Sequence, residues 1–345
     1  MPIRKYHFRD RKPPNGYSRI YEFFARALDD DASVYQPLSS VVQNSKDAPA
    51  VARLQLAQSL LQQKQFAQAN QIFKTMDDKS GSYFHTNLGI SKIGLGDIDS
   101  AIESLRTAIE ADPDSPSAWY NLGVAYSRKN DTENAITSLK TAVRLRPNYA
   151  KARIKLGSLY ASKSQLDSAR DQFNTAVAID AKNLEGYRKL AAIQKRLGNL
   201  ASANAILQDG LSIDNNNVPL TESWIVNLLD PKNESTADDK AQLLPLTNRL
   251  VELKDSETTS LLLKSLALLQ NRQSEECLEV LKKILPTGQR KPEAGIILAI
   301  AQKQIGSNES AIENYRNASA AMSKQTSDKL SELIKSIAKV EFPIE

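Results

Sequence analysis

Residues 116–149 read PSAWYNLGVAYSRKNDTENAITSLKTAVRLRPNY. Within this stretch Trp119, Leu122, Gly123, Tyr126, Ala135, Leu139, Ala142 and Pro147 stand at spacings that recur 34 residues earlier and later. A small residue at the eighth and twentieth positions lets the two helices of a hairpin approach closely, while Leu, Tyr, Trp and Phe fill the ridges alongside. Pro147 removes a backbone donor and disfavours helical dihedrals in the residue before it, so it marks the passage to the next hairpin.

The preceding unit, 82–115, keeps Leu88, Gly89, Ala101, Leu105, Ala108 and Pro113, with His85 for the large residue and Lys92 for Tyr. The following unit, 150–183, keeps Leu156, Gly157, Tyr160, Ala169, Phe173 and Ala176, with Ala181 in place of Pro. This pattern resembles the tetratricopeptide repeat: a large residue, Leu-Gly and Tyr on a first helix, then Ala, an aromatic or Leu, Ala and Pro on and after a second. The resemblance implies an all-α, right-handed superhelical solenoid of antiparallel helix hairpins. Its structural positions here are Gly89, Gly123, Gly157, Ala101, Ala135, Ala169, Pro113 and Pro147.

Further units carry the register in both directions. One at 184–217 holds Tyr187, Leu190, Ala191, Ala203 and Leu207, and a worn one begins at 50 with Leu56, Ala57, Leu60, Ala69 and Phe73. Repeats starting at 50, 82, 116, 150 and 184 therefore fill 50–217. Residues 218–257 form a degenerate unit expanded by a loop at Asp230–Lys240, and 258–324 hold two further units. The stripe of Leu330, Leu333, Ile334 and Ile337 predicts a capping helix in 325–345. Residues 17–47 are assigned to an amino-terminal helical cap, and 1–16 to a flexible basic arm.

Composition narrows the function. Hydrophobic residues make up 41% and charged residues 25%, the balance of an ordered soluble chain. A net charge of +5 is too slight to require nucleic acid or a membrane surface as partner. No stretch approaches the length of a membrane span. The lone Cys277 excludes an internal disulfide framework and fits a reducing, cytoplasmic setting; with only His7 and His85 beside it, neither a metal site nor a cofactor is expected. Cys277 falls at the small position of a second helix, where packing is the expected role. Gly94 and Gly96 read as an interhelical turn, and no phosphate-cradling loop or paired acid and base stands out.

The expectation is thus a non-enzymatic scaffold or adaptor that binds a protein or peptide. In stacked hairpins the first helices line the concave side. There the register places Asn87, Asn121, Lys151, Lys155, Arg188 and Lys189, a set suited to an extended acidic segment. Relatives that grip the free carboxy-terminus of chaperone peptides use a five-residue clamp; Asn121, Lys151 and Lys155 fall on its last three positions, whereas Thr86 and Ile90 stand where Lys and Asn belong. Two alternatives come from other classes. The array could be the recruiting region of a larger enzyme or complex. Alternatively, the arm with Arg4, Lys5, Arg9, Arg11 and Lys12, interleaved by Tyr6 and Phe8, could hold nucleic acid or another anionic surface.

Overall fold

The computed structural model describes residues 50–76, 81–230, 238, 241–254, 257–284 and 292–322. The expected arm, both expected caps, most of the 230–240 loop and His7 lie outside them. The described residues form sixteen α-helices and no strand. They are α1 (Ala50–Gln62), α2 (Phe66–Lys74), α3 (Ser82–Leu95), α4 (Ile98–Ala111), α5 (Pro116–Arg128), α6 (Thr132–Leu145) and α7 (Ala150–Ser162). Then follow α8 (Leu166–Ile179), α9 (Leu184–Arg196), α10 (Leu200–Ile213), α11 (Val218–Leu228), α12 (Leu243–Leu253), α13 (Thr258–Gln270), α14 (Ser274–Lys282), α15 (Pro292–Gln304) and α16 (Asn308–Ala320).

The chain divides into two compact units, residues 1–156 and 157–345, with the division inside α7. In the first, α1 to α6 pack as hairpins, each against the next, and α3 also touches α5. In the second, α8 to α16 pack in sequence, with α9 against α11 and α13 against α15. Helix starts are set locally. Asp97, Asp131, Asn183 and Asn217 each accept a hydrogen bond from the backbone N–H three residues on, and Ser115 does so just before Pro116.

Close approach within each hairpin falls on the small residues. A Cβ at Gly89 would lie 2.6 Å from Leu105 Cγ, one at Gly123 2.7 Å from Leu139 Cγ, and one at Gly157 2.9 Å from Phe173 Cε1. Ala101, Ala135 and Ala169 are fully buried opposite them. Gly94 differs from the sequence expectation. It belongs to the last turn of α3, where a Cβ would sit 2.1 Å from Phe66 Cγ, so it admits an aromatic ring of the preceding hairpin instead of making a turn.

The turn between helices is made by one left-handed residue, fifteenth in its unit. Gly96, Gly198 and Gly306 take it, but so do Lys64, Asn130, Ser164 and Arg272, at φ near +60°. A side chain in that region costs roughly 1–2 kcal/mol, partly offset by the extra chain entropy that glycine loses on folding. Ser164→Gly and Arg272→Gly are therefore each expected to stabilise the fold by about 0.5–1 kcal/mol. Denaturant midpoints that fall or stay unchanged would contradict the strain.

The second unit carries two apolar clusters. One joins Leu207, Leu220, Trp224, Ile225, Leu243 and Leu250, and the other Leu268, Leu269, Cys277, Leu281, Ile297 and Ile300. In the first unit Leu56, Ala69, Phe73 and Phe84 form the corresponding core, with Phe73 and Phe84 edge to face at 5.5 Å.

Candidate functional site

The six expected contact residues are not equivalent. Lys151 and Lys155 stand one turn apart on one face of α7, both exposed, and neither takes part in an ion pair among the described residues. Two like charges at this spacing cost an isolated helix a few tenths of a kcal/mol, roughly 0.2–0.5. Lys151 also lies in the first turn, where the helix dipole disfavours a cation. These lysines are tolerated by the fold and not required by it.

Asn121, partly exposed on α5, is held by its own helix: Nδ2 donates to Ser117 O at 2.8 Å and lies 3.5 Å from Ser117 Oγ. The first bond commits one Nδ2 proton of the carboxamide to its own helix. Asn87 repeats the arrangement on α3, with Nδ2 donating to Tyr83 O at 3.0 Å. Asn87 however is only 7% exposed, which withdraws it from a ligand. Thr86, at a position of the incomplete clamp, is buried as well.

The start of α7 is fixed against α5 by aromatic stacking that the sequence did not bring forward. Tyr120 and Tyr149 lie with ring centroids 5.1 Å apart, and the Arg146 guanidinium sits 4.8 Å from the Tyr149 ring. Arg153 reinforces the turn by donating from Nε and Nη2 to Pro147 O. Burial, with Tyr120 beside it, pushes the Tyr149 phenol up to about 12 against the opposing effect of Arg146, so it is neutral at any physiological pH. These contacts set Asn121 and Lys151 on adjoining first helices of one unit: Tyr120 immediately precedes Asn121, and Tyr149 lies two residues before Lys151. The legible signal was an aromatic at the fifth position of one unit and another at the last.

Arg188 and Lys189 belong to the second unit, on α9. Arg188 is half-buried. Lys189 sits 3.6 Å from Glu185 Oε1, one turn earlier, so its charge is already partly matched. Lys151 and Lys155 are the exposed cations of the candidate set that take part in no ion pair among the described residues.

Cys277 is fully buried, and burial raises its thiol to about 12 against a weak S–H donation to Ser265 O. A thiol so far from ionising is a packing group, not a nucleophile. Among the described residues no three His, Cys, Asp or Glu side chains converge as a metal site, and no helix is long and apolar enough to cross a membrane.

Two family models described as tetratricopeptide repeat match residues 86–150 and 127–193. No curated protein sequence matches the chain. Among solved structures, the chain is similar to a tetratricopeptide repeat protein from Parabacteroides merdae, at 15% identity over 73% of this chain and 98% of that one, with a TM-score of 0.49. It is also similar to MamA, at 23% identity over 49% and 93%, TM-score 0.41. A third is a thermophilic tetratricopeptide repeat protein from Thermus thermophilus, at 22% identity over 52% and 98%, TM-score 0.44. The two matches run together from residue 86 to residue 193, across hairpins that keep Leu-Gly on the first helix and Ala on the second, so this part of the chain is built of tetratricopeptide repeats.

Proposed function

We propose that the chain is a non-catalytic interaction scaffold, and that the first helices around α5 and α7 hold an extended acidic segment of a partner. Tetratricopeptide repeats generally mediate protein–protein interaction, and the finer reading rests on one observation. Lys151 and Lys155 are exposed and unmatched on a single face of α7, and the preceding first helix, tied to the start of α7 through Tyr120 and Tyr149, carries the Asn121 carboxamide held by its own helix. A strand-like peptide would meet Asn121 with a backbone amide group and the two lysines with carboxylates, which gives both register and charge selection.

A fluorescent glutamate-rich dodecapeptide and its glutamine counterpart test this directly. The glutamate peptide is expected to bind and to weaken steeply as salt rises from about 0.05 to 0.5 M, because the screening length of exposed charges falls from about 14 Å to about 4 Å over that range. The glutamine peptide is expected not to bind measurably. Equal affinity for the two peptides, or an affinity indifferent to salt, would remove the acidic-ligand reading.

A further inference from the structure

The opposite edge of the same unit carries a feature that peptide capture by α5 and α7 leaves unused. A cavity of about 380 Å³ lies between α4 and α6 over α5, with Ile109, Trp119, Leu122 and Tyr126 forming its apolar lining. Leu122 and Tyr126 are almost wholly buried, whereas the Trp119 indole is partly exposed. Trp119 Nε1 donates to Pro113 O at 2.8 Å, so the indole presents carbon and not a free polar edge to the cavity. On the α6 wall Ser138 Oγ donates to Asn134 O, and Thr137 Oγ1 to Glu133 O.

The charges at the rim are arranged unusually. Arg106 and Glu110 are one turn apart on α4, a spacing at which such residues ordinarily pair. They form no ion pair here; Arg106 Nη2 instead donates to Tyr126 Oη at 2.7 Å. That bond pins one corner of the guanidinium and leaves Nε and Nη1 as directed donors, while the Glu110 carboxylate stays exposed and unmatched. An apolar floor therefore lies between one fixed cation and one carboxylate.

We propose that this groove docks an apolar side chain of a partner polypeptide flanked by a carboxylate, received by Arg106, and by a cation, received by Glu110. The size admits one large aliphatic or aromatic side chain, and the mixed rim disfavours a segment of uniform charge. This surface would thus select a different sequence from the lysines of α7, and the proposal stands independently of the acidic-ligand reading.

The test uses the two tryptophans as reporters in a heteronuclear NMR titration of the full chain. Trp119 borders the groove, and Trp224, 5% exposed in the other unit, serves as the internal control. The probes are capped Glu-Leu-Lys, capped Lys-Leu-Glu and capped Gln-Leu-Gln. At least one charged tripeptide is expected to shift the Trp119 indole resonance at millimolar concentration while that of Trp224 stays in place. Its affinity should exceed that of the glutamine tripeptide by about 5-fold, the scale of two exposed ion pairs. Arg106→Gln should cut that preference to about 2-fold, the share of the remaining pair at Glu110, and Lys151→Glu with Lys155→Glu should leave the titration unchanged. A Trp119 resonance that never moves, a glutamine tripeptide that titrates like the charged ones, or an Arg106→Gln protein with the preference intact would each overturn the proposal.

Discussion

Gly123→Leu is expected to destabilise the first unit by about 2–3 kcal/mol, although in an isolated helix the same change would be favourable by about 1 kcal/mol. The sign is decided by contact. A Cβ at 123 lies 2.7 Å from Leu139 Cγ and 3.1 Å from the backbone carbonyl of Ala135. Leu139 is 1% exposed and Ala135 fully buried, so neither can retreat toward solvent, and α5 and α6 must separate to make room. In a stack of repeats that separation also weakens the neighbouring interfaces, because each hairpin is stabilised by the one beside it. Hydrogen-exchange protection should therefore fall first across α5 and α6. Lys140→Leu, on the exposed side of α6, should stay within about 0.5 kcal/mol. Leu139→Ala alone should cost roughly 2–5 kcal/mol, yet combined with Gly123→Leu the two losses should sum to less than their separate values, since each relieves the other's misfit. Strict additivity, or a Gly123→Leu protein as stable as the parent, would mean that these residues do not face each other.

The hairpin architecture was legible because its determinants are steric and recur. Leu-Gly on one helix and Ala on the other repeat at fixed spacing, and the structure has helices starting at Ser82, Pro116, Ala150, Leu184 and Val218. Features that depend on partners distant in the chain were not legible. Gly94 looked like part of a turn because it neighbours Gly96, but its reason is the Phe66 ring of the preceding hairpin. The left-handed turn residue was obscured wherever Lys64, Ser164 or Arg272 occupied it, since only glycine advertises that geometry in a sequence.

For the candidate site the register assigned positions but not exposure. Asn87 and Asn121 hold the same place in successive units and make the same bond to their own helices, yet Asn87 is closed off. The pairing of Lys189 with Glu185 could have been anticipated from their four-residue spacing, which already matches opposite charges on a helix. The cavity beside Trp119 lies on a face where the repeat pattern was read only for packing. Its character depends on Arg106 turning to Tyr126, a choice between two partners that spacing alone does not make.

Lys151→Glu combined with Lys155→Glu should weaken binding of the glutamate-rich peptide by about 10- to 100-fold, the larger effect in prospect for the acidic-ligand reading. An exposed ion pair contributes roughly 0.2–1 kcal/mol, and reversing the charge replaces that attraction by a repulsion of similar size. Two such reversals amount to about 1–4 kcal/mol, whose middle part is the 10- to 100-fold range. The same substitution is not expected to harm the helix. Lys151 lies in the first turn of α7, where a carboxylate meets the positive end of the dipole, and one like-charged pair is exchanged for another. The double variant should therefore melt at or slightly above the parent temperature, so that a loss of binding cannot be traced to unfolding. A further arm separates charge from shape. Lys151→Gln with Lys155→Gln should lose only the attraction, leaving an intermediate affinity with a flatter salt response. Asn121→Ala should weaken the glutamate peptide without flattening its salt response, because its carboxamide addresses the backbone and not the carboxylates. If the reversed protein keeps full affinity while remaining folded, the lysines of α7 are merely solvated and the ligand, if acidic, is held elsewhere.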